Sequence, residues 1–240
     1  MTEATHQGPR ARRPTQPPSL REVALEEIRL AITTGQLDEG RTYSAAGLAK
    51  ELGMSLSPVR EAMMSLVSEG TVEAVKNRGF RLRPISAEDL EEIIRVRLAL
   101  SKAAAQDLAT RARNSRDSTD DAQIQAQLER LNELALTAVA AMNEPSYEEF
   151  FRLDREFHRL LVEYGLGPRA AEINLRLRDQ SRLVGRDPGF AADQQTAQDL
   201  LDIVALLSAG EVEQAQQAVT RNLYCYKRIA ATKEHPADLG

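Results

Sequence analysis

The 240-residue chain contains one cysteine, Cys225, and only 4% aromatic residues. A single thiol excludes an internal disulfide, and its helical surroundings predict a small core side chain rather than a redox group. Long apolar runs are missing, as is an apolar N-terminal segment. Neither a membrane span nor a signal peptide is therefore expected, and a cytoplasmic location follows. No internal repeat is present. No phosphate-cradling loop, nucleophile elbow or pair of catalytic carboxylates is visible, which argues against an enzyme. What is present is ordinary globular composition, 42% hydrophobic, in a chain long enough for two modest cores.

The net charge of −5 is unevenly spread. Residues 1–19 carry a net +2, residues 20–85 balance nine basic against nine acidic side chains, and the remainder carries −7. A neutral domain can still bind a polyanion if its cations converge on one face.

Residues 48–70, LAKELGMSLSPVREAMMSLVSEG, read as helix, tight turn and helix. Leu48, Ala49 and Leu52 give the first apolar face, and Gly53 supplies the turn. The spacing predicts Ser57 as N-cap and Pro58 at the first helical position of the second helix. Val59, Ala62, Met63, Leu66 and Val67 form its buried side, and Gly70 ends it. The second helix of such a unit enters the DNA major groove, with its N-terminal residues at base edges. An earlier helix opens at the capping box Ser19-Leu20-Arg21-Glu22 and stops at Gly35. Thr71–Val75 and Phe80–Arg83 flank Lys76-Asn77-Arg78-Gly79 as a β-hairpin with a basic tip. Three helices and this hairpin make a winged helix-turn-helix, with Lys76 and Arg78 placed toward phosphates or a groove.

These residues resemble the GntR family of bacterial transcriptional regulators. The likeness covers about residues 19–85 and is carried by Ile32-Thr33-Thr34-Gly35-Gln36-Leu37, Leu48-Ala49, Leu52-Gly53-Met54-Ser55, Pro58-Val59-Arg60-Glu61-Ala62, Glu69-Gly70 and Asn77-Arg78-Gly79. The resemblance implies DNA contacts from Ser55, Ser57, Arg60, Arg78 and Gly79. Leu56 stands where the family commonly has Arg, and Ala46 where it often has a polar or basic residue. The first departure removes an expected guanine reader.

Residues 1–18 hold four prolines and no periodicity, and are expected to be a disordered arm. Pro84-Ile85-Ser86 is the expected junction to a second domain, residues 86–232, followed by a tail, 233–240. Helices are expected at about 87–113, 121–142, 146–164, 168–185, 191–209 and 211–231, with Ser146 capping the third. Six helices without strands predict an antiparallel bundle, so the whole chain is expected to be mainly α.

Polar residues interrupt the inner stripes of these helices. Asp154 and His158, four apart, share a face with Tyr147, Phe150, Phe151, Phe157 and Leu161. They suit a metal or small polar ligand, or a carboxylate–histidine bond closing the core. Arg97 interrupts Leu90, Ile93, Ile94, Leu100, Ala104 and Leu108, and requires an anion, either Asp154 or an acidic ligand. Asn222 and Tyr226 share the inner side of the last helix, and Gln180 and Ser181 face inward between. Four helices offering polar groups to one interior make a pocket.

This part resembles the FCD effector domain of the FadR-like branch, through Arg97, Leu153-Asp154-Arg155-Glu156-Phe157-His158 and the helix order. Many such domains bind a divalent metal through that Asp and His plus one His from each of the last two helices. The matching positions here are Leu200 and Asn222. Asp154 and His158 alone make a weak ligand set, so the resemblance implies a degenerate metal site and no tightly held cofactor. It leaves a pocket of Arg97, Asp154, His158 and Asn222 for a small, acidic effector.

The expectation is a homodimeric, ligand-responsive regulator of an operator in double-stranded DNA, most readily a repressor released by its effector. The alternatives are a DNA-binding regulator whose sensor has lost its ligand, and an enzyme using Asp154 and His158.

Overall fold

The computed structural model describes residues 17–115, 121–143, 147–181 and 194–225. The expected N-terminal arm, the Ser146 cap, Tyr226 and the C-terminal tail lie outside the described residues. The elements run α1 (Leu20–Thr33), β1 (Thr42–Tyr43), α2 (Ala45–Glu51), α3 (Leu56–Ser68), β2 (Val72–Val75), β3 (Gly79–Leu82), then α4 (Ala87–Ser115), α5 (Asp121–Ala141), α6 (Glu148–Leu166), α7 (Pro168–Ser181), α8 (Gln194–Ala209) and α9 (Val212–Leu223).

The first six elements form the winged helix-turn-helix. Ser19 and Glu22 make the reciprocal capping box that the sequence predicts for α1. Ile28 and Ile32 of α1, Leu48 of α2, Val59, Ala62 and Leu66 of α3, and Val72, Phe80 and Leu82 of the hairpin close one core. The wing pairs β2 with β3 antiparallel, Val72 opposite Leu82 and Val75 opposite Gly79. A third strand, β1, joins β3 through Tyr43 opposite Phe80. Its approach explains Gly79, where a Cβ would lie 2.2 Å from the Tyr43 carbonyl oxygen.

One boundary differs from the sequence expectation. The N-cap of α3 is Ser55, not Ser57, and the helix opens at Leu56. Pro58 therefore occupies the third helical position. It is tolerated there because the first four N–H groups of a helix have no intrahelical acceptor. It also removes the N–H that a capping hydroxyl commonly takes, and Ser55 makes no side-chain capping bond.

The other six helices form the second domain. Ser86 and Asp89 cap α4 reciprocally. Its inner side carries Ile94, Ala105, Leu108 and Ala112, while Ile93 and Leu100, expected in that stripe, are half-buried. The core continues through Leu128 and Leu131 of α5, Phe150, Phe157 and Leu161 of α6, Leu200, Ile203 and Leu207 of α8, and Ala215 and Val219 of α9. Tyr147, which its spacing places in the α6 stripe, is instead the N-cap and is exposed. No helix among the described residues is long and apolar enough to cross a membrane.

Candidate functional sites in the winged helix and the helical domain

Ser55, Ser57 and Arg60 stand exposed at the start of α3. Ser57 donates to Glu61 Oε1 at 3.1 Å, one turn on. Leu56 lies between the two serines and is 48% exposed, an apolar tip on a helix whose neighbours are polar. Arg60, Lys76 and Arg78 are exposed, and none is ion-paired to another described residue, so their charges remain available to an external anion. Asn77, at the wing tip, has φ 57°, the left-handed region that Asn tolerates in tight turns. A shallow groove beside α3 is lined by Arg21, Arg60, Glu61, Met64, Ser65 and Ser68. Arg21 reaches it from α1, donating to Ser65 Oγ at 2.8 Å. No local pattern in the sequence marks Arg21 as crossing from one helix to the other.

The second site lies where α4, α6 and α7 meet. Ala104, Val162 and Ala171, one from each helix, form a small buried cluster. One turn away along each helix are Ser101, His158 and Asn174, all buried. One further turn brings Arg97, Asp154 and Arg178, also buried. Each helix thus presents an i, i+4 polar pair above an apolar floor, which is the face such spacing shares.

In the outer layer Arg178 Nη2 donates to Asp154 Oδ2, and also to the Phe151 carbonyl oxygen at 3.3 Å. Arg97 Nη1 donates to Ser181 Oγ at 3.2 Å. Sequence spacing offers Asp154 or an acidic ligand as the anion for Arg97; the carboxylate of Asp154 also takes Arg178, a residue that no apolar stripe marks in the sequence. In the middle layer His158 Nε2 is 3.4 Å from Asp154 Oδ1. Burial lowers the His158 pKa; Asp154 acts the other way, and Arg97 and Arg178 add to the lowering. The imidazole is therefore neutral near pH 7. Its Nδ1, the Ser101 hydroxyl and both polar atoms of Asn174 are buried with no hydrogen-bond partner among the described residues. Such groups are costly to bury and few in native proteins.

Asn222 and Gln180 behave differently from expectation. Asn222 is buried but donates Nδ2 to the Thr196 carbonyl oxygen at 3.2 Å, tying α9 to α8. Gln180 leaves the interior and donates to the Glu69 carbonyl oxygen at the end of α3, at 2.7 Å. Cys225 is half-buried.

These residues do not fit a divalent metal. Leu200 is a fully buried hydrocarbon and offers no donor atom. Arg178 places a cation on Asp154, where a metal would need the carboxylate. Among the described residues no three His, Cys, Asp or Glu side chains converge.

Comparison with known proteins accounts for both halves. Residues 20–82 match the model of bacterial regulatory proteins of the gntR family, and residues 92–224 match the FCD domain. The uncharacterized HTH-type transcriptional regulator YdhC of Bacillus subtilis (strain 168) is 30% identical over 138 residues, 58% of this chain; the match spans only 57% of YdhC. A probable D-xylose utilization operon transcriptional repressor of Paenarthrobacter nicotinovorans is 27% identical over 206 residues, covering 83% of each chain. The solved structure of E. coli McbR/YncC has a TM-score of 0.69 at 21% identity, over 91% of this chain and 99% of that one, and so shares the fold. The protein is a DNA-binding transcriptional regulator that belongs to the gntR family of bacterial regulatory proteins and carries an FCD domain.

Proposed function

We infer that the protein is a cytoplasmic homodimer that represses transcription from an inverted-repeat operator and is released by a small acidic metabolite. Ser55, Ser57 and Arg60 would face the major groove, with Lys76, Arg78 and the Gly79 turn on the adjacent backbone. The resemblance of most of the chain to a probable operon repressor supports the sign of regulation. The single observation that carries the effector reading is the middle layer of the α4–α6–α7 cluster. Ser101 Oγ, His158 Nδ1 and the Asn174 amide are buried, have no hydrogen-bond partner among the described residues and are ranged beside two guanidinium groups. A carboxylate held by Arg97 or Arg178 would bring its own polar groups to that layer. Asp154 and His158 position this cluster, and Asn222 braces the neighbouring helices. A thermal-shift screen of small carboxylic acids, followed by an operator-release assay on any hit, tests the reading. A stabilising acid that leaves DNA occupancy unchanged would overturn it.

A second reading, a regulator whose sensor takes no ligand, is favoured by one observation. Arg178 already holds Asp154, so the charged layer is paired within the chain. In that reading no acid stabilises the protein.

A further inference from the structure

Four consecutive residues at the end of α7 divide their contacts between the two domains. Arg178 meets Asp154 inside the sensor cluster. Asp179 receives Arg155 of α6 through both oxygens, at 3.1 and 3.2 Å, and lies 3.0 Å from Arg29 Nε of α1. Gln180 donates to the carbonyl oxygen of Glu69, the C-cap of α3. Ser181 accepts from Arg97 and donates to the Arg178 carbonyl oxygen.

The network extends on the DNA-binding side. Arg29 takes both oxygens of Glu69, at 2.9 and 2.8 Å, and Glu26 at 3.1 Å. Arg155 crosses from the sensor to Glu26, at 3.1 and 3.0 Å. Burial works against the Arg29 charge, but Asp179, Glu69 and Glu26 outweigh it and hold the pKa above its usual value. Arg29 and Asp179 are largely removed from solvent, with side chains 14% and 7% exposed, so solvent screens the pair little. A displaced partner leaves a desolvated charge behind, which makes the arrangement closed or open rather than graded.

We propose that this last turn of α7 is the coupling element of the protein. The α-helical turn is rigid, so a movement of Arg178 carries Asp179 and Gln180 with it. A ligand that draws Arg178 from Asp154 then loosens Asp179 from Arg29 and Gln180 from the end of α3, and frees the winged helix to reorient. The trigger rests on the effector reading above; the link between the domains does not, and it is tested without a ligand.

Hydrogen exchange on the full-length protein reads the link in both directions. Asp154→Asn, made in the sensor, should speed exchange roughly tenfold in α1 and at Gly70 and Thr71. Arg29→Met, made in the winged helix, should speed exchange comparably in α6 and α7, because coupling between sites is reciprocal. Glu133→Gln, which breaks only the exposed Arg130–Glu133 pair on α5, should change neither. If each variant loosens only its own domain, the proposal is overturned. Should Asp154→Asn fail to fold, the Arg29→Met arm decides alone. Transmission in these variants with no acid effector found would sink the effector reading and leave the coupling standing.

Discussion

Arg178 closes on the carboxylate of Asp154 across the α6–α7 contact, with both side chains 2% exposed. Two full charges buried together are tolerable only while they remain together. Arg178→Met should therefore strand Asp154 and cost about 3–5 kcal/mol of stability, measured by denaturant unfolding. Replacing both partners, as Arg178→Met with Asp154→Leu, should recover most of that loss. A single mutant as stable as wild type would mean that water reaches the carboxylate.

Arg97 is likewise buried and donates to the Ser181 hydroxyl at the end of α7. As a hypothesis, Arg97→Met should leave DNA affinity nearly unchanged and abolish release by an acidic effector. Normal release from a stable Arg97→Met protein would remove Arg97 from the binding site.

The two serines that open helices are expected to separate stability from DNA binding. Ser19 makes a full capping box, so Ser19→Ala should cost about 1 kcal/mol. Ser55 is the N-cap of α3 but makes no capping bond, so Ser55→Ala should cost much less. If its hydroxyl serves DNA, operator affinity should fall all the same, as it should by about 1–3 kcal/mol for Arg60→Ala. Fluorescence anisotropy at several salt concentrations, beside a melting curve for each variant, checks the pattern. Ser55→Ala losing stability and affinity in proportion would return it to a purely structural role.

The winged helix was legible because its punctuation is local. Capping residues, Gly53 and the basic hairpin tip announce themselves within a few positions. The α3 start slipped by two residues because Ser55 and Ser57 are both good caps, and Pro58 suits the first position better than the third in isolation. β1 has only two residues, too few for alternation to show. In the helical domain, Arg97, Asp154 and His158 stood out because they break apolar stripes. Asn174 and Arg178 did not, since α7 is polar on several sides and Ala171, Asn174 and Arg178 spell no apolar face. Their burial is decided by what α4 and α6 bring against them. Arg29 and Asp179 lie 150 positions apart in sequence, and only the packed domains join them.

Stability should fall in mild acid through His158. Burial holds its pKa below the ordinary 6.5, so the folded state resists protonation while the unfolded chain accepts it. The folded form then binds fewer protons as pH drops below about 6.5, and stability declines from there until the lowered folded value is reached. A His158→Gln variant should show a flatter profile between about pH 7.5 and 5.5. Identical slopes for the two proteins in urea unfolding would mean that His158 is already open to solvent.

The last prediction concerns metal. The purified protein should hold well under one tightly bound divalent ion per chain, and chelator should leave its melting temperature unchanged. Leu200 has no donor atom, and Asn222 uses its amide N–H on Thr196. The decisive group is Arg178, whose cation takes the carboxylate that a metal would require. Two like charges cannot share one buried carboxylate without a large electrostatic penalty. Removing the arginine alone should not create a site either, since Asp154 and neutral His158 give only two ligands. Arg178→Met with Leu200→His and Asn222→His would supply four, and zinc binding by this triple variant, measured by elemental analysis after dialysis, is the expected positive control. One equivalent of metal in the unaltered protein would show instead that Arg178 yields its place on Asp154.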